Sequence, residues 1–477
     1  MKQCIIILAH NDIDQLIHLV DYFYMDCDVF IHIDKRTIID KTKLAILESK
    51  QQVKAVIQKY CVHWGGFSIL KTQMFMLSTA LKQSDADNFH VISGHDYPIK
   101  PLSYFLSYFD RNKDKDFISF GRLRPIGTDL ESCYRYQYFF PYDYSQTRQI
   151  LMRKTKKWLN LQKLLHVNRG IPMQFEKLYC GSQWFSVTRD TVNTIVNYSK
   201  FHHSFLRRMK YTFAPEETYF LTIILNLCRK DKIVNRNMRF IRWHYENGNS
   251  PANLGKEHFH LLAETDDLFA RKIVVPCSNT LISLIDKYLL SDNTVSIQND
   301  GTWNCSTFVK YEYDSGFTEA LYTYCMLKPC FEALDAGCGC GFYVAALRRL
   351  GIFATGIDSN PNTPQLSSLL LPDGDEPCQC ANLAEVEKSE TFKLVFCINV
   401  LQYINDKAAY YTTVKNLTLL ASSSLIVAYD ESMEKDKEKM TVLQRNLLEN
   451  KFAENNFATH FFQKKSRKIL NIHVYEH

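Results

Sequence analysis

A chain of 477 residues with 46% apolar and 23% charged side chains has the balance of a globular protein of roughly two or three domains, which excludes disordered and fibrous classes. No apolar run nears the ~20 residues of a membrane-spanning helix, and CIIILAH after Met1 and Lys2 is too short for a signal-peptide core, so a cytoplasmic protein is expected. The net charge of +6 is uneven: residues 281–477 carry 18 Lys and Arg against 24 Asp and Glu, the rest 39 against 27. The front half therefore suits an anionic ligand, while the acidic back half speaks against one continuous nucleic-acid surface.

The front half opens on a strand at 5–10 (IIILAH), a helical stretch at 12–24 and a second strand at 29–34 (VFIHID). A β-like run at 53–60, a turn at Trp64, Gly65 and Gly66, helical spacing over 68–83 and a strand at 88–93 follow. Such alternation predicts a mostly parallel sheet covered on both faces, with ligands at the carboxyl ends of its strands. His10, Asp34, Trp64 and Asp96 then share one rim.

Aromatic residues on even positions from Tyr134 to Tyr144 predict an extended segment over 131–146, either a packed strand or a sugar-stacking wall. RQILMRKTKKWLNLQKLLH (148–166) is a basic amphipathic helix, read first as packed on its own domain and second as a membrane-surface element. A linker is expected near 275–300. Beyond it, ALDAGCGCG (333–341) is a strand running into glycines and then a helix. Further strands are expected at 353–358, 393–400 and 424–430, then a charged helix over about 434–453 and two closing strands. The 15 cysteines are odd in number and scattered; neither Cys338/Cys340 nor Cys378/Cys380 has a partner pair at zinc spacing, so reduced core thiols are expected.

Each chemical feature of the front half is modest alone. Asp85-Ala86-Asp87 imitates a metal-binding DxD but precedes its strand, on the wrong rim, and reads as a charged helix-exit turn. Asp96 lies on the right rim as a lone carboxylate, thin for magnesium, so a bound diphosphate needs another counter-charge. Arg271 and Lys272 in LFARK are the candidates, with a solvated pair as the plain alternative. APEETYF (214–220) puts two acids after a proline at a helix start, where acids favour the dipole and where one can face a cleft as a general base. Successive helical residues point ~100° apart, so only one of Glu216 and Glu217 can do so.

Taken together, HIDKR (32–36), VHWGGFS (62–68), ISGHDYPI (92–99), CGSQWFSVTR (180–189), APEETYF and LFARK (268–272) occur in this order. They resemble the core-2/I-branching β-1,6-N-acetylglucosaminyltransferase family, which includes the peptide O-xylosyltransferases, over about residues 1–275. The resemblance implies a GT-A-type domain and an inverting, metal-independent transferase with a UDP-sugar donor. By the same resemblance Glu217 is the catalytic base, and Arg271 and Lys272 hold the donor diphosphate. His10, Asp34, Trp64, Gly65 and Asp96 fall on the nucleotide-sugar side, and Trp184 at the acceptor, with a buried core indole as its alternative. Animal members carry Golgi anchors and disulfides that this sequence does not show, so a bacterial cytoplasmic relative is expected.

In the back half, Asp335, Gly337, Gly339 and Gly341 lie between a strand and a helix, where glycines allow a tight turn and close approach of a ligand. Asp358, 17 residues after Gly341, ends the next strand, where an acid can hold ribose hydroxyls. With Asn382 and FCINVLQYI, this constellation resembles class I S-adenosylmethionine-dependent methyltransferases over about 300–477. The resemblance places the three glycines at the cofactor's amino-acid end, Asp358 on its ribose and Asn382 near adenine.

The expected architecture is α/β: a GT-A-type nucleotide-sugar-binding domain at 1–279 followed by a Rossmann-like methyltransferase domain at 280–477. The expected activity moves a sugar, N-acetylglucosamine by resemblance, from a UDP-sugar to a hydroxyl of a glycan or lipid-linked glycan. The S-adenosylmethionine-binding domain is expected to methylate that glycan. No metal and no nucleic acid are expected; peripheral contact with the inner face of the cell membrane is the second reading, after a cytoplasmic protein without it. Xylosyl transfer is one alternative. An RNA-modifying methyltransferase with a basic front domain is the other, disfavoured because no RNA-reading module is recognisable.

Overall fold

The protein is described from a computed structural model that covers residues 1–24, 27–122, 135–140, 157–167, 169, 175, 177–291, 296–297, 303–304, 315–328, 330–371, 375–386, 391–404, 406–430, 458–465 and 469–476. Two compact units divide it: residues 1–255 with 266–280, and residues 256–265 with 281–477.

The first unit contains strands β1 (Gln3–Ala9), β2 (Cys27–Ile33), β3 (Val53–Ile57), β4 (Asn88–Ser93), β5 (Asp96–Pro98) and β6 (Asp116–Ile118). It continues with β7 (Phe120–Arg122), β8 (Tyr179–Gly181), β9 (Phe185–Thr188), β10 (Ile233–Asn235), β11 (Arg239–Ile241) and β12 (Phe269–Arg271). The main sheet has the order β10-β6-β9-β4-β1-β2-β3. Its centre is parallel, with β1 between β2 and β4, while β9 runs antiparallel to β4. The apolar run of β1 explains the layering. Cys4 and Ile6 enter one core with side chains of helices Phe67–Gln83 and Glu216–Leu227. Ile5 and Ile7 enter a second with helices Ile13–Tyr22 and Leu102–Arg111. A strand buried on both faces needs such an unbroken apolar sequence. A small second sheet, β11-β12-β5, sets Arg271 opposite Asp96 in register.

The second unit holds a hairpin, β13 (Ser296–Ile297) and β14 (Trp303–Asn304), and seven further strands. These are β15 (Glu332–Ala336), β16 (Phe353–Asp358), β17 (Cys378–Cys380), β18 (Phe392–Ile398), β19 (Ala421–Asp430), β20 (Ala458–Lys465) and β21 (Ile469–Glu476). Their order is β17-β16-β15-β18-β19-β21-β20, parallel from β17 to β19, with β21 antiparallel to both neighbours. The winding reverses at β15, which opens a crevice at the carboxyl ends of β15 and β18, the usual ligand position in such sheets.

Some expectations need correction. The run at 53–60 is a strand only to Ile57. The described part of the aromatic segment, 135–140, begins with a helical turn rather than a strand. Tyr136 and Phe140 are both buried, in separate clusters, and their packing on Arg208 and Phe213 overrides the period-2 pattern. The expected linker contains helix Asn279–Tyr288, which buries Leu281, Ile282 and Ile285 at helical spacing. The charged helix expected at 434–453, and residues 148–156 of the basic helix, lie outside the described residues.

Candidate functional site

The carboxyl ends of β1, β2 and β4 form the predicted rim. Asp34 follows β2 and is buried, but its carboxylate is occupied: Arg36 donates its backbone N–H, Nε and Nη2, and Val62 donates its N–H at 2.9 Å. Burial pushes this acid up, yet the Arg36 fork and the backbone donors outweigh it and bring the pKa down to about 2. Asp34 thus ties the loop before Trp64 to the rim, a structural duty the sequence reading did not assign to it.

Asp96 corrects the expectation of an isolated rim carboxylate. It is 0% exposed, accepts the N–H of Ser93 at 2.8 Å and pairs with Arg271 at 2.8 Å. The pairing follows from the β5–β12 register. The Arg271 guanidinium also lies over the Trp184 ring, 4.6 Å from its centroid. Trp184 is 7% exposed, so the buried-indole alternative describes it: it supports Arg271 instead of offering an open face to a sugar. Three residues expected at different subsites are therefore one packed unit.

His10 ends this cluster, with its ring edge-on to His95 at 4.9 Å. Desolvation first, and the Lys272 charge second, hold His10 below the ordinary imidazole value. His95 is buried, and burial, then His10, Lys272 and Arg271, take it down to about 3, so it is neutral at physiological pH. Its buried Nε2 has no hydrogen-bond partner. Sequence reasoning missed His95, although it sits inside the quoted GHDYP turn.

Glu216 and Glu217 open helix Glu216–Leu227 behind Pro215 and divide as the ~100° rotation requires. Glu216 is 3% exposed, its Oε2 has no hydrogen-bond partner, and burial, then the Glu217 charge, push it well above the usual range. The Glu217 side chain is 35% exposed and forms an ion pair with Arg135 at 2.5 Å. Burial raises Glu217 while Arg135 opposes the rise. The helix entrance is held by the Ala214 N–H donating to the Gly65 carbonyl at 2.9 Å. Gly65 is needed here: a Cβ would stand 2.5 Å from the Phe213 ring, which lies edge-on to half-exposed Trp64. Ala214 itself adopts φ 48°, a left-handed conformation that a residue with a Cβ takes at a cost. Arg135 and Ala214 were not singled out from sequence; no local pattern marks either.

In the second unit, the loop after β15 is clasped at Gly339. Its N–H donates to Asp358 Oδ2 at 2.8 Å and its carbonyl accepts from the Thr363 hydroxyl at 2.7 Å. Asp358 Oδ1 accepts from the Asn360 N–H at 2.8 Å; burial nevertheless raises this acid. Asp335 is buried at the end of β15. A Cβ on Gly337 would meet Val400 at 2.2 Å, and one on Gly341 would meet Ser367 and Cys378, whereas nothing lies within 4 Å of one on Gly339. Gly337 and Gly341 thus serve packing, and Gly339 borders open space. Asn382 is exposed and engaged in its own turn, accepting from the Ala384 N–H and donating to Glu385. Among the described residues no group of three or more His, Cys, Asp or Glu side chains could hold a metal ion.

Comparison with known proteins matches residues 5–263 to the Core-2/I-Branching enzyme family and residues 334–418 to a Methyltransferase domain family. Xylosyltransferase 1 of Mus musculus is 26% identical over 291 residues, covering 56% of this chain and 28% of its own length. Xylosyltransferase 2 of Homo sapiens is 23% identical over 297 residues, covering 58% of this chain and 32% of its own. The chain thus spans less than a third of the length of these relatives. Among solved structures, magnesium protoporphyrin IX methyltransferase from Synechocystis PCC 6803 with bound SAH is 15% identical, covering 34% of this chain and 81% of its own, at a TM-score of 0.28. N-methyltransferase NodS from Bradyrhizobium japonicum WM9 with S-adenosyl-l-homocysteine is 15% identical, covering 33% and 86%, at 0.27.

Proposed function

The chain belongs to the Core-2/I-Branching enzyme family, and from that premise we propose that its first unit transfers a sugar from a UDP-sugar to a glycan hydroxyl with inversion. One observation carries the reading: of two adjacent acids, only Glu217 reaches solvent, at a helix N-terminus and beside Arg135. Its carboxylate takes the acceptor hydroxyl proton as the oxygen bonds to the anomeric carbon and the bond to the diphosphate breaks on the opposite face. Arg271 and Lys272 stabilise the charge that develops on the leaving diphosphate, without a metal. Asp96 and Trp184 hold the Arg271 guanidinium in a fixed plane for that purpose. Neutral His95 adds a hydrogen-bond donor in one tautomer.

The donor sugar is N-acetylglucosamine or xylose: the family premise favours the first, and the names of the similar curated proteins favour the second. Incubation with UDP-N-acetylglucosamine and with UDP-xylose, reading released UDP, separates them. Release from one donor that survives EDTA supports the reading, and release from neither overturns it.

The second unit fits S-adenosylmethionine, because open space borders Gly339 at the switch point and Asp358 stands beside it. When bound, that cofactor supplies an electrophilic methyl group. Gly339 and Asp358 would hold it, Gly337 and Gly341 shape the loop, and the glycan made by the first unit is the proposed methyl acceptor. The proposed location is the cytoplasm, at the inner face of the cell membrane.

A further inference from the structure

We propose that the outward face of helix 157–164 docks onto a lipid bilayer bearing anionic headgroups. The helix packs on the first unit through Leu159 and Gln162. Gln162 is 3% exposed and turned inward, where its Oε1 accepts from the Phe139 N–H at 2.8 Å and its Nε2 donates to the Phe139 carbonyl at 3.0 Å. Leu161, Leu164 and Leu165 are 44%, 75% and 63% exposed, and Trp158 beside them is 39% exposed while its Nε1–H bonds the Phe139 carbonyl. Leu161, Leu164 and Leu165, at i, i+3 and i+4, form one stripe on the solvent side, with Trp158 at its edge beside Gln162. A contiguous apolar stripe turned away from an available core marks a surface that meets something apolar.

Charge identifies the occupant. Lys157 and Lys163 flank the stripe, and both are exposed. The neighbouring segment 198–211 adds Arg207 and Lys210, also exposed, and is joined to this region by Arg169, which donates to the Tyr211 carbonyl at 2.8 Å. Neither 157–167 nor 198–211 contains an Asp or Glu. A leucine stripe rimmed by cations, with no acid in either described segment, complements the anionic interface of a bilayer. A second copy of the chain would instead set two cationic rims against each other.

Through its inward side the same helix adjoins the candidate base. Leu159 packs with Phe140 and Phe213, the Phe213 ring lies 5.2 Å from the Arg135 guanidinium, and Arg135 pairs with Glu217. If the transfer reading holds, on which this last step alone rests, docking presents Glu217 to a glycan acceptor carried on a lipid.

Flotation of the full chain with vesicles tests the proposal. We expect co-flotation with phosphatidylcholine vesicles containing phosphatidylglycerol, none with phosphatidylcholine alone, and weakening at high salt. Replacing Leu161, Leu164 and Leu165 together by Ser, or separately Lys157 and Lys163 by Glu, should reduce binding by about tenfold or more. UDP release from a soluble UDP-sugar, measured without vesicles, should stay unchanged in both variants, so loss of docking and failure of the transfer reading give different results. The lysine variant alters only exposed side chains and remains informative if the leucine variant misfolds. Absence of flotation, or flotation that neither variant reduces, overturns the proposal. So does a dimer in solution that the leucine variant dissociates without any vesicle binding.

Discussion

At the scale of single residues, the two adjacent glutamates differ because one residue step of the helix, ~100°, gives them different surroundings. Glu217→Gln keeps the volume and a hydrogen-bonding head but removes the proton acceptor. Turnover should fall by roughly 10²–10⁴ with little change in UDP-sugar affinity, as measured by the split of kcat against KM. Glu216→Gln should leave turnover largely intact and change the pH dependence of stability. Burial raises Glu216 well above the usual value of 4.5, so the folded state holds its proton more tightly than the unfolded chain. The stability tied to that proton is complete below pH 4.5 and is lost as pH rises toward the raised folded value. The unfolding midpoint of Glu216→Gln should therefore gain on the wild type as pH rises from 4.5 toward the raised folded value. A constant difference across that window would mean that Glu216 is already ionised in the fold. Arg271 invites a second comparison. Arg271→Ala leaves the Asp96 charge buried and unpaired, at a cost of about 3–5 kcal/mol. Adding Asp96→Asn should restore a large part of that stability in chemical denaturation, but not donor affinity.

Elements set which of the loop glycines matter for which property. Gly337 adopts φ 89° with Val400 in the place of a Cβ, while Gly339 adopts φ 55° with open space beyond it. Both substitutions to Ala incur a left-handed cost of about 1–2 kcal/mol, but only Gly337→Ala adds about 1–3 kcal/mol of overpacking. Gly337→Ala should have the lower melting point, partly recovered by Val400→Ala. Gly339→Ala should melt higher and still lose S-adenosylmethionine binding in calorimetry. Equal stability in the two variants would contradict the packing described for Val400. The strand β12 acts similarly at element level: it delivers Arg271 to Asp96 only because β5 and β12 pair antiparallel in register.

Across the whole molecule, the two units carry separate constellations, so each ligand should stabilise its own unit. UDP-sugar and S-adenosylmethionine should each raise the melting transition of the wild type. Asp358→Ala should abolish the second shift and preserve the first, because sites without shared partners act additively. Loss of both shifts in folded protein would show that the units communicate. No described helix is long and apolar enough to cross a membrane, and the proposed bilayer contact rests on the exposed leucines of helix 157–164.

Sequence alone determined the architecture and the chemistry on offer. The apolar run of β1, the turn at Gly65 and the glycines after β15 specify strands, turns and loops through local sterics and periodicity, which are properties of neighbouring residues. The ordered segments from HIDKR to LFARK were enough to indicate the family over the first unit. Tertiary structure alone decided which of these residues meet. Asp96 and Arg271 are 175 positions apart, and Arg135 and Glu217 are 82. No spacing rule connects such pairs, because register and packing bring them together. The same reason accounts for the misread aromatic segment. Even-numbered aromatics satisfy a strand pattern, but burying Tyr136 and Phe140 against Arg208 and Phe213 outweighs local preference. It also accounts for Trp184, whose face is taken by Arg271, which only the fold brings close.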